Sequence, residues 1–182
     1  GAAAQPALPR LIAALADADQ DVRCSAARAL GSLGEDVAAP AVPDLLRLLS
    51  DEDGGARWGA VEALGNLARP AAAVPEVWPA LLEALEDGVD DVRGGAATAI
   101  GKFGEAGVGD VAAAILPIGE LLGDDEWHVK RAAAEALGKC GAAAWPAVPG
   151  LKLALRDTHP RVCRTAQAAL DRIQAAGELG RQ

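Results

Sequence analysis

The sequence of 182 residues has no Met, no Tyr, one Phe, two His and three Cys. The odd number and wide spacing of Cys24, Cys140 and Cys163 argue against a disulfide framework. We therefore expect either a reducing compartment or thiols without a role. Because aromatic side chains are so scarce, Ala and Leu must supply most of the apolar surface. Small side chains let helix backbones approach closely, which suits stacked helices.

Long apolar segments are also missing. No run approaches the roughly 20 apolar residues that cross a bilayer, and no signal-like or Arg-rich transit segment stands at the start of the sequence. We expect a soluble intracellular protein, in the cytoplasm or an organelle. The absent initiator Met leads us to expect a processed chain or a piece of a longer one.

Positive charge is scarce in most of the chain. Residues 1–129 carry 8 Lys or Arg against 22 Asp or Glu, and residues 130–182 carry 9 against 4, which gives −14 and +5. An acidic array repels phosphates, so we predict no nucleic-acid partner. The basic C-terminal part is either a solvated face or a surface for peripheral contact with an acidic partner or membrane.

One segment of the chain, residues 21–31, returns four times. The copies start at Gly55, Asp91, His128 and Arg161. The recurring leucine position is filled by Leu30, Leu64, Ile100, Leu137 and Leu170, in steps of 34, 36, 37 and 33 residues. A turn aspartate recurs with the same steps, as Asp17, Asp51, Asp87, Asp124 and Asp157. Two series with matching steps indicate a repeat architecture.

The residue pattern of each repeat predicts two helices. In repeat one the first covers about 7–16, with apolar residues at the i, i+3, i+4, i+7 spacing of an amphipathic helix, and the second covers about 20–33. Asp19 and its equivalent Asp53 stand where a carboxylate can cap the second helix. Val89 is a poor substitute at the same position.

Glycines are expected to end the second helix of repeat one, at Gly31 and Gly34, where a left-handed residue is often needed. No linker long enough to separate domains follows. We predict one domain over residues 1–182. Its repeats cover about 6–34, 40–68, 75–104, 112–141 and 146–174.

The outward side of the second helices is a candidate surface on a wheel at 100° per residue. Its central row holds Cys24, Trp58, Gly94, Arg131 and Arg164. Beside it lie Arg28, Glu62, Thr98, Glu135 and Ala168. The residue types vary between repeats, as expected of a surface. Trp58 is its one large apolar group, and is either a contact anchor or partly buried against a neighbouring repeat.

The turn Asp-x-Asp-x-x-Val-Arg followed by Ala-Ala-x-Ala-Leu-Gly resembles a HEAT repeat, and more narrowly the short HEAT-like repeats first described in phycobilisome lyases. The residues that carry the match are Asp17, Asp19, Val22, Arg23, Ala26, Ala29, Leu30 and Gly31, with their copies. The resemblance covers about residues 6–174. It implies an all-α fold, a right-handed α-solenoid of five helical hairpins. Repeat five departs from the pattern, with Cys163 for the Arg and Asp171 for the Gly.

The resemblance further implies a structural ladder in which the basic residue at the second-helix start pairs with an Asp of an adjacent turn. The basic members would be Arg23, Arg57, Arg93 and Lys130. The acidic members would be Asp21, Asp53 and Asp91, with nearby carboxylates.

Signals for catalysis or metal binding are weak. His159 and Cys163 are four residues apart on a helix, but a zinc site needs three or four ligands. Ser25 has no His in register, which argues against a triad. The acidic turns at 51–53 and 124–126 lack the loop spacing of a calcium site. We therefore predict no enzyme, no cofactor and no metal.

Repeat arrays present extended surfaces, so we predict a protein–protein interaction scaffold or a structural subunit of a larger assembly. We expect the partner on the concave second-helix face. The expected contact residues are Cys24, Trp58, Glu62, Gly94, Arg131, Glu135 and Arg164. The alternative that the resemblance implies is a bilin lyase or lyase-chaperone subunit acting on phycobiliproteins, which requires a partner subunit and a tetrapyrrole pocket.

Overall fold

The computed structural model describes residues 7–179, so the predicted start of repeat one at residue 6 lies outside the described residues. The α-helices are α1 (Leu8–Ala14), α2 (Gln20–Ser32), α3 (Glu35–Ala38), α4 (Val42–Leu48), α5 (Gly54–Asn66), α6 (Ala68–Ala72), α7 (Val77–Glu83), α8 (Asp90–Ala106), α9 (Val111–Glu120), α10 (Trp127–Lys139), α11 (Val148–Ala154) and α12 (Pro160–Leu179). Short 3-10 segments cover Ala39–Ala41, Ala84–Glu86, Leu121–Gly123 and Gly141–Ala147. Residues 7–179 contain no strand. No helix in this stretch is long and apolar enough to span a membrane.

The predicted α-solenoid of five hairpins is confirmed. The hairpins are formed by α1 with α2, α4 with α5, α7 with α8, α9 with α10, and α11 with α12. The second helices α2, α5, α8, α10 and α12 pack against one another in chain order, and each first helix flanks its own second helix. One contiguous apolar cluster runs through the five hairpins. The assignment of all 182 residues to a single domain stays a prediction.

The starts of the second helices confirm the cap analysis. The Asp19 carboxylate accepts a hydrogen bond from the backbone N–H of Asp21, and the Asp53 carboxylate accepts one from that of Ala56. Val89 stands at the same position of α8 and offers no side-chain bond. An aspartate thus satisfies a first-turn donor at these two starts, whereas the longer Glu126 at the start of α10 makes no such bond.

Close contact between second helices explains the glycine at the end of the repeated segment. Gly34 has φ +86° and ends α2 as predicted. Gly31 does not, because it lies inside α2, where an added Cβ would stand 2.7 Å from the Ala63 Cα. The same contact joins Gly65 to Ala99 at 2.7 Å, Gly101 to Ala136 at 2.9 Å and Gly138 to Ala169 at 3.0 Å. Glycine here permits close approach of two backbones and does not serve a turn.

We expect Gly65→Ala to lower the free energy of unfolding by about 1–3 kcal/mol, because its methyl group would overlap α8. A matched control is Gly119→Ala inside α9, where the nearest heavy atom to an added Cβ is 3.8 Å away. That control should be neutral or stabilising, since Ala forms helix better than Gly by up to about 1 kcal/mol. Urea unfolding followed by circular dichroism measures both. Equal stabilisation by the two substitutions would show that the helices have room to separate.

Candidate functional site

The second-helix face, defined as the outward row and its neighbours given above, carries two cavities. Trp58, Glu62, Gly94 and Arg131 all line a cavity of about 260 Å³, here called the Trp58 pocket. The other three predicted contact residues lie outside this pocket. Glu135 and Arg164 line a cavity of about 600 Å³, here called the C-terminal groove. Cys24 lines neither.

Trp58 forms one wall of the Trp58 pocket. Its half-buried indole lies under the Arg28 guanidinium, whose central carbon is 4.9 Å from the ring centroid. The Arg28 Nε also donates to the Glu62 carboxylate at 2.9 Å. On the side of α8, a Cβ added at Gly95 would stand 3.2 Å from the Trp58 Cδ1. The ring therefore lies between two repeats, with a cation–π contact to Arg28 on one side and the bare backbone of Gly95 on the other. It still contributes to the pocket lining.

The floor of the Trp58 pocket is backbone. Gly94 is buried, and an added Cβ would meet atoms of Val129 and Ala132 only at 3.8 Å, an ordinary contact distance. The absence of a side chain at Gly94 therefore leaves open space beside Trp58. Charges of both signs line the pocket, from Lys102, Arg131, Glu62 and Asp91. Such a pocket can hold an apolar group and a polar one side by side.

Arg131 already has an intramolecular partner. Its Nη1 lies 3.1 Å from the Glu135 Oε2 one helical turn on. Glu135 is shared, because the Lys139 Nζ lies 3.5 Å from its Oε1 and 3.6 Å from the Glu105 Oε2. Exposed pairs of this kind contribute little, roughly 0–1 kcal/mol. An incoming carboxylate can therefore replace Glu135 on Arg131 at small cost.

A row of side chains on this face was missed by the sequence analysis. It consists of Asn66, Lys102, Lys139 and Arg172, in steps of 36, 37 and 33 residues. Each side chain lies against the close-contact glycine of the preceding repeat, 3.3–3.7 Å from an added Cβ. Burial lowers the pKa of Lys102, whose Nζ lies 2.6 Å from the Asn66 Oδ1. The recurrence of this position at the repeat spacing was a readable signal.

The Asp–Arg ladder exists, but its acidic members differ from those expected. The pairs are Arg23 with Asp51 at 2.7 Å, Arg57 with Asp87 at 2.7 Å, Arg93 with Asp124 at 2.7 Å and Lys130 with Asp157 at 3.0 Å. Asp21 and Asp91 stand two residues before their basic residue, on another side of the helix, where residues do not face each other. Asp53 is occupied as a helix cap.

Each turn aspartate of the ladder connects two repeats. Asp87 accepts from Arg57 of the preceding repeat and from the backbone N–H of Val89 in its own turn, at 2.8 Å. Its carbonyl accepts from Arg93 at 2.9 Å. In repeat five the Cys163 Sγ donates to the Asp157 carbonyl at 3.1 Å. The cysteine thus keeps the carbonyl contact of the missing arginine without its charge.

His128 lies in the first turn of α10 and lines the Trp58 pocket, whereas His159 directly precedes α12. His159 stacks on Trp127 with centroids 4.1 Å apart, and its Nδ1 accepts from the backbone N–H of Arg161. The Cys163 Sγ, four residues on, is hydrogen-bonded to the Asp157 carbonyl. One ring nitrogen of His128 and one carboxylate oxygen each of Asp90 and Glu126 lie within 4.8 Å of one another. Folding brings these two carboxylates together from separate repeats.

The cysteines form no disulfide among the described residues. Burial raises the pKa of Cys24, and raises that of Cys140 to about 11. A thiol with a raised pKa is mostly protonated at neutral pH and is a poor nucleophile. These two thiols therefore fit a packing role.

Comparison with known proteins gives a consistent result. A family model of HEAT repeats matches residues 8–78 and 78–171. The complex of CpcE and CpcF of phycocyanin lyase from Nostoc sp. PCC7120 has a TM-score of 0.73 and 26% identity, over 93% of this chain and 66% of that chain. An engineered protein gives 0.75 and 21%, over 95% and 86%. Computationally designed armadillo repeat proteins for modular peptide recognition give 0.72 and 24%, over 91% and 82%. The last two likenesses show the fold alone. Comparison with curated proteins found no match.

The ladder predicts a pH-dependent contribution to stability. The hydrogen bond from Arg57 lowers the pKa of Asp87. The stabilisation is therefore fully present above the unfolded pKa of about 3.9 and is lost as the pH falls through the lower folded pKa. We expect Asp87→Asn to lower the free energy of unfolding by about 1.5–3 kcal/mol at pH 7. The difference from wild type should shrink at pH 3.

Urea unfolding at pH 7 and pH 3 measures this difference. The control is Asp125→Asn, because Asp125 is exposed in the turn before α10 and has no ion-pair partner among the described residues. It should change stability little at either pH. The ladder would lack the assigned role if Asp87→Asn matched this control, or if its effect were as large at pH 3 as at pH 7.

Proposed function

Because this chain belongs to the HEAT-repeat family, we propose that it is a non-catalytic scaffold that binds a protein partner on its second-helix face. Repeat solenoids are generally non-catalytic and use extended surfaces for binding. The same role holds if the partner is a fixed neighbour within a larger assembly.

The Trp58 pocket is the observation that carries this proposal. It combines an aromatic wall, a backbone floor at Gly94 and Gly95, and charges of both signs. Aromatic groups beside a pocket are common anchors in protein interfaces. Its volume of about 260 Å³ lies below the roughly 300–1,000 Å³ typical of small-molecule sites. A single apolar side chain of a partner suits this size better than a cofactor.

Charge supplies the second element of recognition. Arg131 lies at the edge of the same pocket, and its bond to Glu135 is partly exposed. A carboxylate of the partner can take that bond when its neighbouring apolar side chain enters beside Trp58. The combination requires an apolar and an acidic residue close together in the partner, and so gives selectivity.

We expect Trp58→Ala to weaken partner binding by about 2 kcal/mol or more, as for a central interface anchor, and Arg131→Ala to weaken it by a smaller amount. The matched controls are Trp145→Ala and Arg156→Ala. Both residues are exposed, lie in or beside the first helix of repeat five, and should leave affinity unchanged.

A pull-down from the native source would identify the partner, and isothermal titration calorimetry would then compare the four variants. Circular dichroism checks that each variant folds. If Trp58→Ala and Arg131→Ala fold and bind like their controls, the partner uses another surface and the proposal is wrong.

A lyase or lyase-chaperone role is the second candidate. The observation that favours it is the similarity to the phycocyanin lyase complex at 26% identity over 93% of this chain. Such a role requires a second lyase subunit and space for a tetrapyrrole. The Trp58 pocket is too small for that, and the larger C-terminal groove is lined mainly by charged and small residues.

Pigment transfer separates the two candidates. The chain is mixed with phycocyanobilin and an apo-phycobiliprotein subunit, with and without a CpcF-type subunit, and visible absorption is followed after denaturing gel separation. The scaffold proposal predicts that the chain does not accelerate covalent attachment under either condition. Acceleration that depends on this chain would establish the lyase role instead.

A further inference from the structure

We propose that the C-terminal groove between α10 and α12 binds an acidic segment of the partner polypeptide, while the Trp58 pocket holds an apolar side chain of the same segment. This inference rests on the proposed function and adds the chemical class of the partner. The deciding feature is that Arg164 and Arg172, both on α12, line the same wall of one groove.

Within the described part of the chain, most cations of the second helices are paired with carboxylates, whereas Arg164 and Arg172 are not. Lys102 and Arg161 also lack a carboxylate there, but Lys102 is bonded to the Asn66 amide oxygen and Arg161 lies over the Trp127 ring. The ladder cations each have an aspartate. Arg131 and Lys139 share the carboxylates of Glu105 and Glu135. Arg164 and Arg172 are exposed, and neither has a carboxylate within salt-bridge distance in the stretch 7–179. They are therefore available to an external anion.

The shape of the groove suits an extended polypeptide and not a folded domain. Gly138 meets Ala169 at its floor with the backbones in close contact, and Ala168 adds only a methyl group. The Arg172 side chain lies across Gly138, with its Cδ 3.7 Å from an added Cβ. The cavity of about 600 Å³ is thus walled by long charged side chains over a floor of small ones.

The two cavities lie next to each other on the second-helix face. Between them, Thr98, Ala132, Glu135 and Lys139 line a small cleft with no room for a water molecule. Thr98 and Ala132 also line the Trp58 pocket, and Glu135 and Lys139 also line the C-terminal groove. With neighbouring helices roughly 8–10 Å apart, two repeat steps span about 20 Å. About six residues of extended chain cover that distance.

The mixture of charges favours carboxylates over denser anions. An arginine can bind a carboxylate through two parallel hydrogen bonds. Glu105 and Glu135 on the opposite wall would repel a polyphosphate or nucleic-acid backbone, which brings charge at every step. Separate carboxylates on a flexible peptide fit each arginine without approaching the glutamates.

Designed peptides test this directly. The probe is a fluorescein-labelled Ser/Gly peptide that carries one Leu and, about six residues away, two Glu; both chain directions are made. Its analogue has two Gln instead. By fluorescence anisotropy we expect the change from Glu to Gln to weaken binding to the wild-type chain at least fivefold. For the double variant Arg164→Gln/Arg172→Gln, replacing Glu by Gln in the probe should weaken binding less than twofold.

The control double variant is Arg10→Gln/Arg156→Gln, which removes the same charge from exposed arginines elsewhere and should keep the fivefold ratio. Trp58→Ala tests the proposed function separately: it should weaken both probes and leave their ratio unchanged. A ratio that persists without Arg164 and Arg172, no measurable binding of the Glu probe, or its displacement from the wild type by phosphatidylserine vesicles would each overturn the inference.

Discussion

Close contact between consecutive second helices is the constraint on which the rest of this structure depends. At Gly31, Gly65, Gly101 and Gly138 there is no room for a methyl group against the alanine of the next repeat. Helices this close can be joined only through small residues, which explains why glycine and alanine occupy these contact positions in every repeat step. Close spacing also places each turn within reach of the next, so the other inter-repeat contacts follow from it.

The polar ladder is one such consequence. An arginine at the start of a second helix extends to the turn aspartate of the following repeat, while that aspartate orders its own turn. The pairs are largely shielded from water, and each carboxylate has both a charged and a backbone donor. In a linear array, stability is approximately a sum of repeat and nearest-neighbour terms. The ladder stabilises the contact between each pair of neighbouring repeats, at one edge of the stack.

The outward face is free of these packing constraints, and there the repeats differ. Trp58, Gly94, Arg131 and Arg164 occupy equivalent positions, yet one supplies a ring, one a gap and two a positive charge. The packing between helices is uniform while the outward side chains vary, and the result is a surface with two neighbouring cavities, one beside an indole ring and one beside two arginines. The overall negative charge of the chain makes the second cavity locally distinct.

The sequence by itself determined the repeats, the helix pairs, the caps at Asp19 and Asp53 and the outward position of Trp58, because these depend on periodicity and on contacts between residues near in the chain. Only the tertiary structure decided which aspartate each arginine reaches, why Gly31 is glycine, and how Lys102 and Arg172 line the two cavities. Those contacts join residues about one repeat apart, and their geometry is set by the distance and rotation between neighbouring hairpins, which no local pattern records.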